Sequence, residues 1–434
     1  MYLTDHLNKI SWSVADKSTY VLYGIATIAI LAVTNDIEFG VFTLFNTLHN
    51  LILNISDSFS LQAILQFSAV EEEKPRVNLI ALFNHVVLVC IFVAVTLIFS
   101  HGIAELLGEP KFVEVAKALP LLALFSIPRY FCNRIMYREL KIFRLFLTNL
   151  VYFGTMSGII FYCIINNIFL SYSDIIHITY LGAGLGTITA IILTFKYWKF
   201  SFKGTTKYLD VIKFSIKYTI TGIILPLPKY CDIFIIQFFF GTSTVGLYAP
   251  AKNIFRFVDE AINTVNSLIY APSVKFIANK DMKSLNDLIT KSMSIMLLGF
   301  TFITILCLLG VSNSFSAFLP NKFVDAIPMF NCLMIASILL PITLLNTTIN
   351  ASGKPEIIAK YVLISFVFWG LAFLIIGVYF NKYVNLVPLP YIIFLFVLSI
   401  LLIRYGKKHF NIKFIQLFRA VPDFIGLLNR KFKK

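Results

Sequence analysis

Charge is scarce in this chain of 434 residues: only 14% is Asp, Glu, Lys or Arg, against about 25% in an average soluble domain. That scarcity excludes an ordinary water-soluble fold of this size. A cysteine pairing pattern is also missing. Cys90, Cys132, Cys163, Cys231, Cys307 and Cys332 lie in or beside apolar runs, with no Cys-x-x-Cys pair and no cluster with histidine. They read as small interior residues, neither disulfides nor metal ligands. No Gly-x-Ser-x-Gly, His-Glu-x-x-His or calcium-loop pattern occurs, and no connection is long enough for a separate domain. Enzymatic function is disfavoured for lack of a catalytic site, and no metal or cofactor is expected. The stretch 1–17 carries Asp5 and Asp16 and has no small-residue cleavage site behind a short apolar core, so a removable signal peptide is not expected.

Apolar sequence is what the chain has in abundance. It is 58% hydrophobic, with a mean hydropathy of +0.82. A helical span needs about 20 apolar residues, so the length accommodates about twelve spans with short loops. The apolar runs predict spans at 10–33, 39–63, 77–99, 115–136, 145–165, 174–195, 211–237, 246–270, 288–311, 326–348, 357–380 and 383–403. Lys and Arg accumulate on the cytoplasmic side of short loops. Alternate connections hold thirty on one side and four (Lys111, Lys117, Lys322 and Lys382) on the other, leaving Lys229, Lys252 and Arg256 inside spans. The prediction is an all-α, multi-pass membrane protein with both termini cytoplasmic. The net charge of +15 then faces anionic lipid headgroups, not nucleic acid. The tail 406–434 alternates Phe410, Phe414, Leu417, Phe418, Phe424 and Leu427 with Lys and Arg, as expected of a basic amphipathic stretch on the inner leaflet.

Two segment pairs recur at nearly constant offset. "FGVF" (39–42) and "VGLY" (245–248) lie 206 residues apart, and "KFVEVA" (111–116) and "KFVDAI" (322–327) lie 211 apart. In the same order and topological position, they mark a duplicated half. Two six-helix bundles follow, 1–200 and 201–405, with the tail 406–434 beyond them. Because six is even, both halves enter from the same side, leaving a central cavity around a pseudo-twofold axis along the membrane normal.

Ionisable groups in hydrocarbon are costly and default to lining a cavity. Asn46, Asn50, Asn54 and Asp57 recur at increments of four, four and three, on one helical face. Adding 206 lands on Lys252, Arg256, Glu260 and Asn263, a duplicated stripe with diverged chemistry. At about 1.5 Å of rise per residue, Arg256 and Lys229 both reach the bilayer midplane, Lys229 on a span interrupted by Pro226 and Pro228. Lys229, Lys252 and Arg256, with Asn50 and Asn54, are candidates to bind an anionic group such as phosphate. The alternative makes Arg256 with Glu260, and Lys229 with Asp232, local ion pairs. Asp57, Asp259 and Glu260 are candidates for a coupling proton or sodium ion, although helix-packing contacts explain them nearly as well. His49 reads as a satisfied interior histidine before a proton relay, and "GAGLG" (182–186) as close helix packing, not a nucleotide loop.

Taken with "EFGVFTLFNTL" (38–48), "GTSTVGLYAPAKNIFRFVDEAI" (241–262), "LPNKFVDAIPMF" (319–330) and "NASGKPEIIAK" (350–360), the chain resembles the polysaccharide-transporter, or oligosaccharide-flippase, branch of the multidrug/oligosaccharidyl-lipid/polysaccharide exporter superfamily. The order and spacing of these loose motifs carry the likeness over almost the whole length. The resemblance implies two six-helix bundles forming a V and alternating access. It also implies translocation of an undecaprenyl-diphosphate-linked oligosaccharide repeat across a bacterial inner membrane, for O-antigen, capsule or exopolysaccharide synthesis alongside a polysaccharide polymerase. Its cavity cations correspond to Lys229, Lys252 and Arg256. The alternatives are a multidrug efflux antiporter of the same fold, which would prefer acidic residues at its centre, and an integral-membrane polymerase or acyltransferase, which needs polar loops that are short here.

Overall fold

The computed structural model describes residues 3–68, 70–224, 226–312, 314 and 323–410. Among them all regular structure is helical, because a chain in hydrocarbon must satisfy each backbone group within its own segment. The α-helices are α1 (Leu3–Ala29), α2 (Asp36–Ser56), α3 (Gln62–Phe67), α4 (Lys74–Ile98), α5 (Ser100–Leu107), α6 (Phe112–Arg138), α7 (Ile142–Ile165), α8 (Tyr172–Thr194), α9 (Tyr208–Ile224), α10 (Leu227–Phe240), α11 (Thr242–Ala278), α12 (Met282–Leu308), α13 (Ala326–Ser337), α14 (Leu344–Ala351), α15 (Pro355–Tyr379) and α16 (Leu389–Phe410). Local chemistry sets several ends. Asn35 caps α2 by accepting from the Glu38 amide at 2.8 Å. Ser171 and Asp174 form a capping box at α8. Gly108, at φ +63°, takes the left-handed conformation that closes α5.

All twelve predicted segments fall on helix. Among the described residues, eight helical stretches are long and apolar enough to cross a membrane, and α13 with α14 forms a ninth that is bent by 46°. The protein is therefore a multi-pass membrane protein. The other three predicted segments are the polar or interrupted ones. The second runs from α2 through a π-turn (Asp57–Leu61) into α3. The seventh divides at Pro226 into α9 and α10, 17 and 14 residues long, each too short to cross alone. The eighth lies in α11, 37 residues with Pro250 and Pro272 inside it.

The chain packs as two compact units, Met1–Gly246 and Leu247–Lys434. In the first, α7 packs on α1 and α8, while α6 packs on α2, α4 and α8. The helices α9 and α10 belong to this unit as well, α9 against the π-turn and α3, α10 against α2 and α5, which carries the unit beyond the repeat boundary read near residue 200. In the second unit α15 pairs with α16, and α13 with α12 and α16. Tight helix packing occurs where "GAGLG" predicts it. A Cβ on Gly182 would meet Met156 Cγ at 2.5 Å, and one on Gly186 would meet Tyr152 Cβ at 2.8 Å, so α8 meets α7 nearly backbone to side chain. Lys322 and residues 411–434, most of the predicted amphipathic tail, lie outside the described residues.

Candidate functional site

Polar side chains concentrate in the interior of the first unit, beginning with the stripe on α2. Asn46, Asn50 and Asn54 are half-buried and joined along the helix. Asn50 donates its Nδ2 to the Asn46 carbonyl at 2.8 Å and to its Oδ1 at 2.9 Å. Asn54 donates to the Asn50 carbonyl at 2.7 Å and to the Tyr230 hydroxyl on α10 at 2.9 Å. Tyr230 follows Lys229, itself half-buried, so the stripe bonds the residue next in the chain to the α10 cation.

At the foot of the stripe, Asp57 opens the π-turn and receives two hydrogen bonds from Arg134 of α6, one from Nε at 2.8 Å and one from Nη2. The side chains are 10% and 22% exposed, so this is a largely buried, bidentate pair. Higher on α2, His49 Nε2 bonds Ser126 Oγ at 2.9 Å and its ring stacks on Phe45. His49 is thus a satisfied interior histidine.

Arg129 and Asp16 are buried and, like Glu109, join no ion pair among the described residues. Arg129 on α6 is 6% exposed, its guanidinium carbon lies 3.9 Å from the centre of the Tyr152 ring, and its Nε meets no acceptor. Asp16 on α1, 3% exposed, accepts from Asn149 Nδ2 at 2.8 Å, an amide that also reaches the Tyr20 hydroxyl at 3.3 Å.

Three of the thirty charges counted on the cytoplasmic side, Arg129, Arg134 and Arg138, belong to α6. Arg138 donates to Glu139 and to Asn78, both at 2.8 Å, and Lys74 reaches Glu139 at 2.9 Å. Burial alone would raise the Glu139 carboxyl, but the hydrogen bonds from Lys74 and Arg138 prevail and hold it below the usual carboxylate range. Nothing local in the sequence announces the Arg134 pairing, whose partner lies 77 residues away.

In the second unit, α11 carries the remaining candidates. Lys252 is half-buried, its Nζ 5.8 Å from the Tyr248 ring centre. Asp259 is half-buried, while Arg256 and Glu260 are exposed, and no ion pair joins Arg256 to Glu260. Asp232, expected beside Lys229, is buried and accepts from the Ile233 amide at 2.7 Å. Among the described residues no three His, Cys, Asp or Glu side chains are grouped to hold a metal ion.

Comparison with known proteins bears on this arrangement. A family model described as "Polysaccharide biosynthesis protein" matches residues 35–328. No curated protein matches the chain. Among solved structures, the lipid II flippase MurJ in an inward closed conformation aligns with a TM-score of 0.72 at 14% identity, over 98% of this chain and 93% of that one. An inward-facing multidrug resistance MATE family transporter of the MOP superfamily aligns with a TM-score of 0.70 at 14% identity, over 93% and 94%. A MOP superfamily transporter from Pyrococcus furiosus aligns at 0.56 and 14%, over 95% and 94%. At that identity the likeness establishes the fold.

Proposed function

This chain belongs to the polysaccharide biosynthesis protein family, and on that premise we propose that it is a flippase. Its cargo is an oligosaccharide repeat unit on an undecaprenyl-diphosphate carrier, moved across the bacterial inner membrane by alternating access for O-antigen, capsule or exopolysaccharide synthesis. A polysaccharide polymerase then consumes the flipped unit. The observation that carries the reading is the half-buried amide ladder of Asn46, Asn50 and Asn54, bonded to the Tyr230 hydroxyl on the helix that carries Lys229.

A lipid-linked diphosphate has a charged head that cannot cross hydrocarbon and a tail that need not leave it. Amides and a cation on the helices lower the barrier for the head alone. Asn50 and Asn54 offer donors and acceptors to sugar hydroxyls. Lys229, Lys252 and Arg256 supply positive charge for the diphosphate, Arg as a planar donor fork and Lys as a mobile point charge. Among the carboxylates proposed for a coupling proton or sodium ion, Asp57 is already neutralised by Arg134. Asp259, Glu260 and, newly, the amide-held Asp16 are better placed for that role.

Complementation of a strain lacking the chain tests the proposal. The Lys229→Ala/Arg256→Ala variant should insert normally, lose polymer export and accumulate lipid-linked intermediates on the cytoplasmic face. Unchanged export would refute the site. Restored drug resistance with no effect on export would favour the efflux antiporter.

A further inference from the structure

Between the span that ends at Ile98 and the span that opens at Phe112 lies a polar groove that shares no residue with the amide stripe. Its walls are α5 and the start of α6, which pack on each other, and Gly108 and Pro110 stand in the turn that joins them. The cavity measures about 590 Å3, a size usual for a small-molecule site. His101, Glu105, Glu114 and Lys117 line it over a floor of Ala104 and Val113. Glu114 accepts from the Tyr172 hydroxyl. The side chains of His101, Glu105 and Lys117 join no hydrogen bond or ion pair among the described residues.

Position along the two helices sorts these groups by distance from the turn. Glu105 lies three residues before Gly108 and Glu114 four after Pro110, so both carboxylates stand near the turn. His101 and Lys117 lie four and three residues farther from it, about 6 and about 4.5 Å at 1.5 Å of rise per residue. On α6 the same face continues through Leu121 and Leu124. These leucines are 44% and 65% exposed on a helix apolar enough to cross the membrane, so they face hydrocarbon. From the turn inward the order is paired carboxylates, then a cation with an imidazole, then an apolar track. A phospholipid with a primary ammonium has the complementary order: ammonium outermost, phosphate beneath it, acyl chains below.

We propose that this groove binds the headgroup of phosphatidylethanolamine. The ammonium donates to Glu105 and Glu114, the phosphate accepts from Lys117 and His101, and an acyl chain lies along Leu121 and Leu124. Phosphatidylglycerol brings no cation to the two carboxylates, and the quaternary ammonium of phosphatidylcholine has no N–H to donate to them. The charge-derived topology puts the groove in the outer leaflet. The assignment is independent of the cargo, since it requires only that α4 and α6 cross the membrane.

Lipid competition tests it. The full chain in detergent is offered equimolar phosphatidylethanolamine, phosphatidylcholine and phosphatidylglycerol with identical oleoyl chains, and the lipids it retains are counted by native mass spectrometry. Phosphatidylethanolamine should be retained several-fold over either competitor, and equal retention would overturn the proposal. Glu105→Gln/Lys117→Gln removes one charge of each sign and should bring the three lipids to near parity. An undiminished preference in that variant would place the lipid elsewhere and overturn the groove. Glu105→Lys/Glu114→Lys should pass the preference to phosphatidylglycerol, a gain that loss of fold does not mimic, whereas a retained preference for phosphatidylethanolamine would again overturn the groove. Glucosamine carries an ammonium and hydroxyls without phosphate or chains and should not compete. Displacement of the retained lipid by glucosamine would overturn the lipid in favour of a sugar.

Discussion

Replacing Arg134 by Met would strand the Asp57 carboxylate inside the first unit. In the native protein that carboxylate is 10% exposed and takes both of its charged hydrogen bonds from one guanidinium, which is itself 22% exposed. Removing one partner of such a pair costs about 3–5 kcal/mol, because the remaining charge keeps its desolvation penalty without compensation. Asp57→Asn should cost less, since the long Arg134 side chain is partly exposed and can swing its head toward water. The double variant Asp57→Asn/Arg134→Met removes both charges and should recover most of the loss, an interaction visible as strong non-additivity. Arg129→Met serves as the control. No carboxylate pairs with Arg129 among the described residues, so its replacement should leave stability unchanged or raised. The assay is thermal unfolding in detergent for all four variants, alongside their membrane levels. A double variant no more stable than Arg134→Met alone, or an Arg129→Met loss equal to that of Arg134→Met, would refute the reasoning. Export by the double variant adds a functional readout: if Asp57 acts only through this pair, a stable double variant still exports.

Two further outcomes follow from packing and charge. At the α7–α8 contact, Gly186→Leu should impair folding by about 1–3 kcal/mol through overpacking, because a Cβ there already crowds Tyr152 at 2.8 Å. Gly184→Ala, whose Cβ would meet only Phe125 at an ordinary 3.7 Å, should be neutral or stabilising by up to about 1 kcal/mol. Comparing their melting temperatures decides the point. Glu139 has a lowered carboxyl pKa in the folded protein, so it contributes stability above the unfolded carboxylate value of about 4.3 and loses it as pH falls through the folded value. Glu139→Gln should therefore be less stable than wild type at pH 7, and the gap should close below about pH 4. A gap that persists at low pH would point to shape and not charge.

How far the sequence reached depended on the range of the interaction. Helix positions were legible because hydropathy over about 20 residues is a property of the local chain, and all twelve predicted segments fall on helix. The amide stripe was legible because four-residue spacing places side chains on one face whatever surrounds the helix. The glycines of "GAGLG" announced close packing for the same reason. Partners were not legible in the same way. Arg129, Arg134 and Arg138 read as a basic cluster near a span end, and within α6 they meet Tyr152, Asp57 and Glu139.

Composition and periodicity alone thus settled that the chain is helical, crosses a membrane many times and concentrates polar side chains on particular helices. Only packing decided which polar groups are satisfied: Asp57 by a residue 77 positions away, Asp16 by one 133 away, and Asn54 by one 176 away. Partners at such separations depend on the rotation and depth of each helix against its neighbours, and no periodicity within a single helix contains that information.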